Sequence, residues 1–187
     1  MYRYLAVFLV FCNVLSLWAQ QGKTIVFEAE WQFHDEEYLP DVDRLIGNVV
    51  FTHENTIGYA DSAYYYINEN KMVAFGQPVI IFANDSVTLY GNRAMYNGNS
   101  KISTVSRDVI LQDKTSTLYT DSLIYHTATG IGYYVTGGKM ISKEDTLTSI
   151  IGTYNTKNKL ALFKNDVTLN NPTYIMTCDS FRYNTAT

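Results

Sequence analysis

An all-β fold, built as a solenoid-like or jellyroll-like sheet of repeating units, is what this sequence predicts, and three observations carry the expectation. Sixteen Tyr and nine Phe among 187 residues, with only three Pro, supply side chains that fit a pleated, half-buried surface. Tyr65, Tyr96, Tyr125, Tyr154 and Tyr183 recur at intervals of 31, 29, 29 and 29 residues. Four residues ahead of three of these tyrosines stands an Asp-Ser pair, at Asp61-Ser62, Asp121-Ser122 and Asp179-Ser180; Asn92 takes that place in the second copy and Ile150 in a degenerate fourth.

The chain opens on a segment that reads as processing rather than fold. Arg3 precedes an almost uninterrupted apolar run from Leu5 to Trp18, too short for a spanning helix of roughly 20 residues. Residues 1–19 are expected to be a secretory signal peptide cleaved near Ala19, and Cys12 a residue of its apolar run rather than a lipid anchor, since Leu9-Val10-Phe11 lacks small residues. With the leader removed only Cys178 is left, so sheet packing rather than a disulfide must stabilise the domain. The formal charge of −4 becomes −5 without Arg3 (13 basic against 18 acidic residues), and no basic patch supports binding to nucleic acid.

Residues 24–187 are expected to form one repeat domain. A partial copy, Ile25 to Glu30, comes first. Each later copy begins with a short apolar strand, such as Val49-Val50-Phe51, Val79-Ile80-Ile81, Val109-Ile110-Leu111 and Val167-Thr168-Leu169. Turn-forming pairs open these strands, among them Gly47-Asn48, Gln77-Pro78, Arg107-Asp108 and Asn165-Asp166. A unit of about 30 residues cannot bury its own apolar face, so consecutive units must stack, and equivalent strands are expected about 4.7–4.9 Å apart. The columns then define an inner surface. Three residues before the corner stand Phe27, Leu89, Leu118, Leu147 and Met176, with Gly58 the exception; two and four residues beyond it stand Ala63 and Tyr65, Ala94 and Tyr96, Leu123 and Tyr125, Phe181 and Tyr183. The inward positions slip by one across Asp-Ser, which points to a bulge that folds the sheet over. The sequence ends in the middle of a unit, so the last repeat reads as incomplete.

Nothing in the pattern asks for catalysis. His34-Asp35-Glu36-Glu37 lacks the second histidine of a zinc helix and reads as a solvated acidic loop. His53 and His126 stand alone, as surface or groove-rim residues. A repeated Asp-Ser is what a structural corner uses, whereas a catalytic site occurs once. Gly130-Ile131-Gly132 is too short for a nucleotide loop and is read as a turn. No cluster of carboxylates recurs on neighbouring rungs, as a glycoside-cleaving surface would need.

Gly47-Asn48-Val49-Val50-Phe51-Thr52, then Ala60-Asp61-Ser62, then Tyr65, resembles the signature of the LptA/OstA family of periplasmic lipopolysaccharide-transport proteins. The likeness runs from Thr24 to the C-terminus. It implies an open, V-shaped β-jellyroll that is no enzyme and holds no cofactor or metal. Its interior would take lipopolysaccharide acyl chains, and its ends would join other jellyroll modules or further copies of itself. It also implies a periplasmic place reached through the cleaved leader, with outer-membrane association and membership of a larger outer-membrane protein both left open. On that reading the groove is lined by Ile25, Phe27, Val49, Phe51, Ala63, Tyr65, Val79, Ile81, Leu89, Val109, Leu111, Leu118 and Tyr125. The rival reading is a structural or adhesive solenoid with a closed core. One departure is the acidic connection from His34 to Arg44, longer than the shortest family members would need.

Overall fold

A computed structural model describes residues 24–84 and 86–186; the expected leader at 1–19 lies outside the described residues. Every regular element among them is a strand: β1 (Val26–Glu28), β2 (Trp31–Asp35), β3 (Leu39–His53), β4 (Thr56–Tyr66), β5 (Lys71–Asn84), β6 (Val87–Asn97), β7 (Ile102–Gln112), β8 (Thr117–His126), β9 (Ile131–Tyr134), β10 (Gly138–Ser142), β11 (Asp145–Ser149), β12 (Ile151–Asn155), β13 (Leu160–Asn171) and β14 (Tyr174–Asn184). They form one antiparallel sheet that meanders from hairpin to hairpin.

The long strands bend midway, and the pairing shows how. Ile46 faces Ser62 and the next pair is Val49 with Ala60, so β3 advances three residues while β4 advances two. The extra residue therefore lies in Gly47-Asn48, both left-handed at φ 81° and 45°. Arg107-Asp108 (67° and 55°) repeats this opposite Asp121, and Asn165-Asp166 (64° and 51°) opposite Asp179. Two successive left-handed residues redirect a strand sharply, and Asn and Asp tolerate that conformation better than other side chains. This corrects the sequence reading in one respect. Burial does change face across Asp61-Ser62, since Ala60 and Ala63 both point inward, but the inserted residue sits on the adjacent strand. On β5 the bend falls at Gly76-Gln77-Pro78, and where the fourth copy is degenerate, at Ile150, the strand breaks outright into β11 and β12.

Folded along this line of corners, the sheet becomes two arms. The valine arm carries Val49, Val79, Val109 and Val167 next to the corner, together with β1, β10 and β11. The tyrosine arm carries the repeated tyrosines together with β2, β9 and β12. The arms pack directly on one another: the rings of Phe51 and Tyr96 lie 6.1 Å apart and those of Phe27 and Tyr65 5.2 Å apart. The line of corners closes one side, and the loops at the far ends of the strands form a mouth on the other.

Equivalent strands are not neighbours, contrary to expectation. Tyr65 pairs with Met72 and Met72 with Tyr96, so a returning strand separates successive copies. A 30-residue unit contains two bent strands, and antiparallel hairpins leave the second one between equivalents. The segment from His34 to Arg44 is likewise no loop. Trp31–Asp35 pairs with Leu39–Ile46 as a hairpin, with His34 Nδ1 2.8 Å from Asp43 Oδ1. The Gly130 turn is as expected, but Ile131 and Gly132 already belong to β9.

Candidate functional site: the apolar interior and its mouth

Two rows of side chains, each running across the strands, fill the space between the arms. On the valine arm, successive partners are Phe27, Phe51, Gly58, Ile81, Leu89, Leu111, Leu118, Met140, Leu147, Leu169 and Met176. Ten strand-to-strand steps of about 4.8 Å make this an apolar track of about 48 Å. On the tyrosine arm the row is Tyr65, Met72, Tyr96, Ser103, Tyr125, Gly132, Tyr154, Ala161 and Tyr183, in which each ring is flanked by an unbranched or small neighbour. That alternation gives each phenol the width of two strands.

Of the residues expected to line the groove, Ile25, Val49, Phe51, Ala63, Tyr65, Val79, Ile81, Leu89, Val109, Leu111, Leu118 and Tyr125 are buried in one continuous core, and Phe27 packs against it half-buried. Their packing is tight: Phe51, Leu89, Leu111 and Tyr125 are 0% exposed. Sequence reasoning missed the returning strands, which add Leu45, Met72, Ala74, Val105, Tyr134 and Phe163 to the same core. Their apolar character was visible, as in Met72-Val73-Ala74-Phe75, but no corner motif marks them.

It also missed the mouth, where polar groups bridge the arms. His53 Nδ1 stands 2.8 Å from the Tyr96 hydroxyl, and Lys101 Nζ donates to both oxygens of Glu54 at 2.9 and 2.7 Å. Farther along, the Tyr154 hydroxyl and Lys159 Nζ both donate to Asp113 Oδ2, at 2.6 and 2.8 Å. The Tyr183 hydroxyl donates to Asp145 Oδ2 at 2.7 Å. At the other end the Ile25 amide donates to Asn70 Oδ1 at 2.9 Å. Partners are 43, 47, 46 and 45 residues apart for His53–Tyr96, Glu54–Lys101, Asp113–Lys159 and Ile25–Asn70. One and a half repeats is the offset, so each loop of one arm clasps a loop half a repeat beyond its own unit. His53 is therefore a buried rim residue rather than a surface one. Loops of the tyrosine arm are chained to each other too: Gly98, Thr127, Thr156 and Thr185 each donate an amide to the carbonyl of the preceding loop at 2.8–2.9 Å.

The electrostatics follow from this arrangement. Burial of the phenols pushes the Tyr96, Tyr125, Tyr134 and Tyr154 pKa values above the ordinary range for tyrosine. Burial alone would raise Asp113 as well, but donation from Lys159, Tyr154 and the Thr115 and Ser116 amides outweighs it and holds the carboxyl below its usual range. Among the described residues, no group of three His, Cys, Asp or Glu stands together where a metal could bind.

Comparison with known proteins can be set beside this bent antiparallel sheet. A family model described as OstA-like protein matches residues 21–179. The chain belongs to the OstA-like family. Its fold resembles the crystal structure of LptH from Pseudomonas aeruginosa, described as the LptA-homologous periplasmic component of the conserved lipopolysaccharide transport device. The two share 16% identity over 56% of this chain and 77% of that one, with a TM-score of 0.50. At that identity the likeness speaks for the β-jellyroll fold of this OstA-like chain. No curated protein matches its sequence.

Proposed function

We propose that this OstA-like protein is a periplasmic lipopolysaccharide-transport component that carries acyl chains in the interior between its arms toward the outer membrane. The observation that supports this most is the apolar track from Phe27 to Met176, which crosses the whole sheet with Gly58 as its one position lacking a side chain. A net-acidic protein attracts no anionic head by overall charge, so affinity would come from hydrocarbon: about 0.8 kcal/mol for each buried methylene. Near-identical rungs give similar energies at successive positions, which lets a chain advance without meeting one deep trap. Entry requires the clasps at the mouth to part, because the interior is closely packed.

The ends of the sheet fit modules joined in series. Among the described residues β14 pairs only with β13, and its inward residues Met176, Phe181 and Tyr183 are half-buried where their counterparts Leu147 and Tyr154 are covered. A further strand on this edge, from another jellyroll module or a second copy, would extend the track and complete its burial.

The rival reading, a structural solenoid with a dry core, is favoured by the 0–1% exposure of Phe51, Leu89, Leu111, Leu118 and Met140. Native mass spectrometry of the full protein purified from a lipopolysaccharide-bearing host separates the two. Transport expects a bound species of lipid A mass that Phe51→Asp abolishes while the β circular dichroism persists. Absence of any lipid from the native protein, with no binding of added lipid A, contradicts it.

A further inference from the structure

Between the first two sets of clasps the mouth holds a cavity of about 180 Å³, several times the space of one water, lined among others by Glu54, Asn55, Tyr96, Lys101, Thr127 and Lys157. Both arms contribute. Glu54 and Asn55 come from the β3–β4 loop of the valine arm, whereas Lys101, Thr127 and Lys157 come from three successive loops of the tyrosine arm.

Among the described residues, the charges lining this cavity are unbalanced. Lys101 is held by Glu54 at 2.7 Å. Lys157 donates to the Ala128 carbonyl at 2.6 Å and has no carboxylate partner among the described residues. The described lining thus sets two ammonium groups against one carboxylate, in a protein whose net charge of −4 otherwise repels anions. A phosphate dianion in place of the Glu54 carboxylate neutralises both ammoniums, and charge-assisted N–H···O bonds to phosphate are the strong kind. The floor of the cavity adds direction. Tyr96 belongs to the inner tyrosine row and the neighbouring Ala83 to the buried core, so an anion held by the lysines sits directly above apolar space.

We propose that Lys101 and Lys157 form a binding site for a phosphomonoester on the head of an acylated lipid, in which the phosphate takes Lys101 from Glu54. This inference rests on the reading that the interior takes acyl chains. Binding then releases the Glu54–Lys101 clasp, coupling recognition of the head to opening of the mouth beside Tyr96.

The test measures binding of the full mature protein to diphosphoryl lipid A, to the same lipid stripped of phosphate, and to inorganic phosphate. Lys101→Gln/Lys157→Gln, at loop positions of which Lys101 is half-buried and Lys157 exposed, is expected to weaken binding of the phosphorylated lipid roughly tenfold relative to the stripped lipid. Glu54→Gln is expected to strengthen binding of the phosphorylated lipid, because a competitor for Lys101 is gone. An equal change in binding of the two lipids overturns the site. Should the wild-type protein bind neither lipid, the transport reading fails and inorganic phosphate decides the site separately. A shift of the Thr127 amide resonance at millimolar phosphate, lost in the double variant, supports it as a site for free phosphate; no shift overturns it.

Discussion

The ring of Phe51 occupies the space in which a side chain on Gly58 would stand: a Cβ there would lie 2.1 Å from Phe51 Cζ, across the pair that joins β3 to β4. Gly58 breaks the apolar column because its partner's ring fills two places in the row. Gly152 under Tyr134 repeats the device on the tyrosine arm, with a Cβ 2.3 Å from the ring. Gly58→Ala is expected to cost about 1–3 kcal/mol through overpacking, read as a lower urea midpoint with unchanged slope. Adding Phe51→Leu should recover part of that loss, since the two positions share one volume.

Asp113 is the hub of the mouth, with a side chain 0% exposed that gathers Tyr154, Lys159 and two loop amides. Asp113→Ala leaves that lysine and phenol without their acceptor and is expected to cost about 3 kcal/mol. The pH dependence has a definite sign. The folded carboxyl lies below its ordinary value of about 3.9, so its stabilisation is complete above that pH and disappears as pH falls through the lower folded value. Wild type should lose stability below about pH 4 more steeply than Asp113→Asn in chemical denaturation.

The tyrosine row gives the opposite limb. Desolvation favours the neutral phenols, so their contribution is complete below about pH 10 and is lost as pH rises through the higher folded values. Spectrophotometric titration at the phenolate band should show delayed ionisation of the buried tyrosines, arriving together with unfolding. Free titration of every tyrosine near pH 10 in the folded protein would contradict the burial of the row.

Ser103 stands between Tyr96 and Tyr125, with a fully buried hydroxyl that has no hydrogen-bond partner among the described residues. Ser103→Ala removes an unpaired polar group and is expected to be neutral or to stabilise by about 1 kcal/mol, measured by equilibrium unfolding.

Much of this was legible in the sequence because the unit repeats. Recurrence of Tyr65 and its equivalents, with a corner four residues earlier, located every second position of the inner rows, among them Phe27, Leu89 and Leu118 on one arm and Tyr65, Tyr96 and Tyr125 on the other. Pairing partners were less accessible. Nothing in the spacing says whether the strand beside Tyr65 is its equivalent or the returning β5, because both alternate with period two. The corner misled in a similar way: Asp61-Ser62 repeats conspicuously, while the inserted left-handed residues are Gly-Asn, Arg-Asp and Asn-Asp in different copies. The clasps were hidden because Glu54 and Lys101, or Asp113 and Lys159, meet only once the sheet has folded on itself. Their offset of one and a half repeats is a signal that becomes readable when the two-strand nature of the unit is known.

Acyl-chain passage through the interior is tested most directly by photo-crosslinking during lipopolysaccharide transport. A photoreactive residue is placed in turn at Phe51 and Ile81, which face inward on β3 and β5, and at Tyr59 and Phe82, which face outward on β4 and β5. The transport reading expects lipopolysaccharide adducts at the first pair and none at the second. No adduct at either inward position, or equal labelling of the two faces, contradicts it.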